Sequence, residues 1–155
     1  MRKLFVLLLT ALLTTVAGAA ALPYNTTADA KADVRSALAQ AKANHVPVLI
    51  IFGANWCEDC RALDRALKTG KNAELMAHSF QVVKVDVGNF DHNLDLANSY
   101  GNPIKKGIPA AVVVTPDNQL LYSTKAGELA DARRMSDTGI YDFFEHVSQN
   151  SVLKP

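Results

Sequence analysis

The stretch GANWCEDCRAL, residues 53–63, holds both cysteines of the chain, Cys57 and Cys60, with Trp56 before them and Glu58 and Asp59 between. Such a pair can ligate a metal, staple the chain or act as a reactive dithiol. Its surroundings separate the three. Upstream, HVPVLIIFG (45–53) is a short β-branched apolar run closing on glycine, which reads as a strand buried on both faces. Downstream to Lys68, Leu63 and Leu67 lie one turn apart among charges, so a helix follows whose first turn carries the cysteines. A helix N-terminus presents unpaired N–H groups and partial positive charge, and therefore favours a thiolate at Cys57. Cys60, one turn on and on the same face, is placed to attack a mixed disulfide formed on Cys57. Cys57 is the attacking thiol and Cys60 the resolving one.

The other two uses fit poorly. A zinc site needs four ligands, and a single C-x-x-C pair with His45, His78, His92 and His146 scattered along the chain supplies no second pair. A structural disulfide here would close a very short loop, which constrains the unfolded chain little. A chain of this length also buries a core without such staples. Neither G-x-G-x-x-G nor H-E-x-x-H occurs, so no cofactor and no metal are expected.

At the N-terminus Arg2 and Lys3 precede an uncharged run from Leu4 to Leu22 that ends in small residues. A basic start, an apolar stretch and an A-x-A-like exit read as a secretory signal peptide over 1–21, cleaved after Ala19 or Ala21. Thr10, Thr14, Thr15 and the alanine-rich exit argue against a retained anchor. The expectation is a periplasmic or secreted protein, with 22–155 as one domain and no membrane insertion after cleavage. Loss of the segment removes two basic residues and no acid, leaving a slightly acidic chain. That balance gives no electrostatic case for binding nucleic acid.

The remaining pattern alternates. Thr27 to His45 is alanine-rich with Val34, Leu38 and Ala41 at helical spacing. Asn72 to Ser79 reads as a shorter helix, FQVVKVDVG (80–88) as an alternating strand, His92 to Tyr100 as a helix and 101–107 as a loop. AAVVVTPDNQLLYST (110–124) is two strands around Pro116-Asp117-Asn118, a turn set in which proline fixes φ and Asp/Asn tolerate the left-handed region. A last helix starts at Ser136 or Asp137, with Ile140, Phe143, Phe144 and Val147 on one face. Crossover helices imply parallel pairing of the first strands, and the late hairpin implies an antiparallel edge. The class is α/β, a mixed central sheet flanked by helices on both faces.

NWCEDC at a strand-to-helix junction, followed about 50 residues later by GIPA, resembles the exported members of the thioredoxin superfamily, over roughly Val46 to Val147. The resemblance implies a four- or five-stranded sheet, a redox-active disulfide between Cys57 and Cys60, and Cys57 exposed beside a cis-proline loop at Ile108-Pro109. It also implies that Trp56, Ile108 and Pro109 meet bound substrate, Ile108 through its backbone.

Three features depart from the family. Its buried acid, six residues before the first cysteine, is replaced by Ile51, so Lys84, which matches the lysine usually near that acid, is expected to lack its partner. Glu58 and Asp59 stand where Gly-Pro is usual. Two negative charges oppose the Cys57 thiolate, with Arg61 pulling the other way, which favours a reducing couple. With Lys84 they are the expected tuners of the cysteine pKa. The loop YGNPIKKGIP (100–109) is longer than usual and brings Lys105 and Lys106 toward the active surface. Together these readings describe an exported thiol–disulfide oxidoreductase that reduces or isomerises disulfides in partner proteins, fed by a transmembrane thiol-electron donor. The rivals are a binding module, delivering Cu(I) or holding a client, and a dithiol oxidase.

Overall fold

The strand Val48–Gly53, β1, is buried along all six residues and forms the middle of the molecule. Its neighbours follow from the connections. The helices Glu58–Ala66 (α2) and Gly70–Ser79 (α3) cross over between β1 and Gln81–Asp86 (β2), and the two strands run parallel. Ala110–Val114 (β3) pairs antiparallel with β1 on its other side, and Leu120–Ser123 (β4) closes the hairpin at the edge. The sheet order is β2-β1-β3-β4. Asn118 takes the left-handed conformation in the hairpin turn, at φ 63°. The computed structural model describes residues 21–152; the signal peptide expected over 1–21 lies, apart from Ala21, outside the described residues.

Because side chains alternate along β1, it feeds two cores. Val48, Ile50 and Phe52 pack toward Ala30–Asn44 (α1) and Leu94–Ser99 (α4), against Val34, Ala41 and Leu96. Leu49 and Ile51 face the opposite layer, built by α2, α3 and Asp137–Asn150 (α5), against Leu63, Met76, Ile140 and Phe144. Full burial of each large side chain contributes about 1.5–3 kcal/mol relative to exposure, so β1 anchors both layers. Among the described residues no helix is long and apolar enough to cross a membrane.

Element ends differ from the sequence pattern where local chemistry intervenes. α1 starts at Ala30 rather than Thr27 because Asp29 accepts the Ala32 N–H at 3.0 Å and caps it. It stops before His45, which is left-handed at φ 55°. α4 starts at Leu94 rather than His92 because Asn93 is left-handed at φ 54°. The 101–107 loop contains a 3₁₀ turn, Pro103–Lys106. Asp86, polar in the β2 alternation, is buried, with its carboxylate accepting the Gly88 N–H at 3.0 Å. The segment 125–135 carries no periodicity, yet it sends Leu129 and Ala132 into the second core.

Candidate active site

α2 begins at Glu58, so Cys57 is not its first helical residue but its N-cap. Cys57 Sγ accepts the Cys60 N–H at 3.1 Å, the bond that a serine or aspartate side chain makes at an ordinary cap. The two cysteines form a disulfide with a Cα–Cα separation of 5.2 Å. Cys60 is fully buried. Cys57, expected to be exposed, is only 5 % exposed, because the loop before β3 covers it: its Sγ lies 3.6 Å from the Ile108 carbonyl oxygen. The Ile108–Pro109 peptide bond is cis. The exposed neighbour is Trp56. Its Nε1–H donates to the Gly88 carbonyl at 2.8 Å, and its ring centroid lies 6.2 Å from that of the exposed Phe90. Lys105 lines an open groove with Phe90, Leu94 and Gly107, and Lys106 is exposed on the same 3₁₀ turn.

The acids between the cysteines are not free. The Arg133 guanidinium lies 3.0 Å from Glu58 and 3.7 Å from Asp59, and the Arg133 N–H donates to the Asp59 carboxylate at 3.0 Å. Glu58 and Asp59, expected to oppose the Cys57 thiolate with Arg61 pulling the other way, are thus both paired with Arg133. Arg61 instead braces the turn before the motif, donating to the Asn55 carbonyl at 2.7 Å. Burial of Leu129 and Ala132 is what carries Arg133 across the first turn of α2. Nothing local in the sequence announces a partner more than 70 residues away.

Lys84 is likewise not left alone. Ile51 is its register partner on β1, as the sequence match placed it, but α2 supplies the missing acid. Asp64, one turn beyond Cys60, accepts hydrogen bonds from Lys84 and from Lys68, the latter at 2.8 Å. Burial alone would raise the Asp64 carboxyl; the hydrogen bonds from Lys68 and Lys84 outweigh it and hold the carboxyl below the usual carboxylate range. The available signal was the i, i+4 spacing of Cys60 and Asp64, which puts both on one helix face.

A further residue, Tyr24, had no reading from the sequence. Its N–H donates to Asn55 Oδ1 at 3.0 Å and its carbonyl accepts from Asn55 Nδ2 at 2.8 Å, which folds the N-terminal segment back over the motif. The ring is buried against Gly53. A Cβ at Gly53 would overlap the Tyr24 hydroxyl and stand 3.0 Å from Cys60 Sγ, so only glycine leaves this slot open. Glycine at the end of a buried strand is itself a sign that another group approaches closely. Burial, followed by the negative charges of Asp64 and Asp86, raises the Tyr24 phenol well above its ordinary value. Among the described residues no group of three or more His, Cys, Asp or Glu could hold a metal ion.

Residues 29–116 match the family described as Thioredoxin-like. A solved structure described as a disulphide isomerase from Xylella fastidiosa Temecula1 is 58% identical over 84% of this chain and 99% of that chain, with a TM-score of 0.82. Two others share the fold. The C-terminal domain of Neisseria meningitidis DsbD in the oxidised form is 21% identical, covering 76% of this chain and 96% of its own, at a TM-score of 0.51. A structure described as DsbH oxidoreductase is 20% identical, covering 76% and 81%, at a TM-score of 0.55. No protein of curated function matches the chain. The family match runs over more than half of the chain and takes in both bridged cysteines, and the 58% identical relative covers 84% of it; this chain belongs to the thioredoxin-like family of disulfide oxidoreductases.

Proposed function

We propose that the protein is exported, through a signal peptide over residues 1–21, and reduces or isomerises disulfides in partner proteins with its Cys57–Cys60 dithiol. One observation carries the reading: Cys57 Sγ caps α2 beside the Ile108 carbonyl, with Cys60 buried one turn behind it. An α2 N-terminus stabilises the Cys57 thiolate. The Ile108 backbone, next to Pro109, then receives the extended client segment that carries the target disulfide, and Trp56 offers it an apolar edge. Attack by Cys57 gives a mixed disulfide, and attack by Cys60 on Cys57 releases the client.

Arg133 lying over Glu58 and Asp59 weakens the argument from acidity for reduction over isomerisation, and the 58% identical relative is described as an isomerase. Both outcomes use the same first step; they differ in whether Cys60 or a second client thiol resolves the intermediate. Net reduction in an oxidising compartment requires an electron supply, for which a transmembrane thiol-electron donor is the proposed source.

Non-reducing gels of two variants test the mechanism. Cys57→Ser should abolish turnover, whereas Cys60→Ser should trap clients on Cys57. Adducts on the Cys57→Ser protein would reverse the roles. Equilibration of the couple with glutathione at a strongly oxidising potential would favour an oxidase, and stoichiometric Cu(I) retention without disulfide turnover would favour a binding module.

A further inference from the structure

We infer that Tyr24 is a positioning residue for this chemistry: once the Cys57–Cys60 bond opens, the Tyr24 hydroxyl donates a hydrogen bond to the Cys60 thiolate. The inference rests on the reading of Cys60 as the resolving thiol.

Three observations carry it. Asn55 fixes the Tyr24 backbone from both sides, so the ring is delivered to one place. That place is the slot above Gly53, which the hydroxyl shares with Cys60 Sγ. Tyr24 is, finally, only 3 % exposed, so the ring holds its hydroxyl in this slot beside the sulfur. A thiolate beside the hydroxyl is an acceptor that appears only when the disulfide is reduced, and a hydrogen bond to a charged group is stronger than one to a neutral group.

Cys60 needs such help. It is fully buried, and burial disfavours its thiolate. Among the described residues, Arg61 of α2 is engaged by the Asn55 carbonyl, and the other charges named here are acidic or paired. From α2 comes Asp64, whose charge is taken up by Lys68 and by Lys84 of β2; Asp86 at the end of β2 is also acidic. Burial and these two carboxylates keep the phenol protonated, so Tyr24 acts as a hydrogen-bond donor and not as a base.

The step balances without it changing state. The Cys57 thiolate attacks one client sulfur, a Cys57–client bond forms, and the other client sulfur leaves as a thiolate. Cys60 gives its proton to water and attacks Cys57 Sγ; the Cys57–Cys60 bond forms, the Cys57–client bond breaks, and the second client sulfur leaves and takes a proton from water. The dithiol loses two electrons and the client disulfide gains them. Tyr24 keeps its proton throughout.

Rapid mixing of the reduced protein with oxidised glutathione, with acid quenching and mass analysis, separates formation of the glutathionyl-Cys57 adduct from its loss. In Tyr24→Phe the loss should slow about tenfold near neutral pH, and its rate–pH profile should move up by about one pH unit, while adduct formation and the alkaline plateau stay at wild-type values. A wild-type profile, or equal slowing at every pH, would overturn the inference, the latter because a purely structural defect does not move a pH profile. Should Tyr24→Phe fold poorly, 3-fluorotyrosine at position 24 keeps the hydroxyl. Its fluorine resonance in the reduced protein should titrate with Cys60 and cease to do so in Cys60→Ser; indifference to Cys60 would equally overturn the inference. Failure of the underlying reading looks different: Cys60→Ser would then lose glutathione as fast as wild type.

Discussion

The outer and inner sides of the Cys57–Cys60 bridge both carry acids paired with bases, in opposite settings. Outside, the exposed Glu58 and the more sheltered Asp59 share Arg133, whose side chain is half exposed. Inside, Asp64 is almost covered and binds Lys84, which is three-quarters covered, and Lys68. Water and salt screen the first group, so it contributes little to holding the fold together. The second group loses most of its hydration, so each member depends on the others. Similar residue types therefore contribute little to stability at the surface and more beneath it.

Perturbations graded by depth would sharpen or break this contrast. The largest effect is expected at Gly53, where the slot has no spare room. Gly53→Val should cost about 3 kcal/mol by overpacking, read as a lower urea midpoint with an unchanged slope. A small loss would mean that Tyr24 moves aside easily, and the inner side would not be rigid.

Next comes Asp64. Asp64→Asn should lower stability at neutral pH by about 1–2 kcal/mol, because Lys84 keeps its charge and loses its counterion. Since Lys68 and Lys84 hold the folded carboxyl below its unfolded value near 3.9, its stabilisation is complete above that value. It is lost as pH falls through the lower, folded value. Denaturation midpoints across the acid range should therefore drop more steeply for wild type than for Asp64→Asn. Parallel curves would show that the inner pair behaves like a surface one.

Arg133→Ala should leave the denaturation midpoint nearly unchanged. It uncovers Glu58 and Asp59, so alkylation of Cys57 by iodoacetamide should require higher pH, by less than about one unit, and the difference should shrink in high salt. The smallest shift belongs to Glu58→Gln with Asp59→Asn in the wild-type background. It should move alkylation to lower pH by a few tenths of a unit, and by more when combined with Arg133→Ala. Equal shifts in the two backgrounds would show that Arg133 does not neutralise the acids.

The bridged cysteine pair and its place at a helix start were legible because their signals are local. Strand, cap and helix lie within about twenty residues, and hydrophobic periodicity marks each of them. The same holds for the hairpin at Pro116-Asp117-Asn118 and for the face of α5. Asp64 was half legible: the helix register puts it beside Cys60, but an acid on an amphipathic helix ordinarily faces water. Tyr24 and Arg133 were not legible. One sits in a segment before α1 and the other in an aperiodic stretch before α5, so neither lies in a pattern that predicts direction.

By itself the sequence determined the order of helices and strands, the mixed sheet and the place of Cys57 and Cys60 at a helix start. All of these follow from periodicity and capping within a few turns of chain. Only the tertiary structure decided what surrounds the two sulfurs. Covering of Cys57 by Ile108, pairing of Glu58 and Asp59 with Arg133, Asp64 in place of an acid at position 51, and Tyr24 above Gly53 are contacts between segments far apart in sequence. Burial and charge pairing depend on distance in space, and packing of the two cores sets those distances after the local elements have formed.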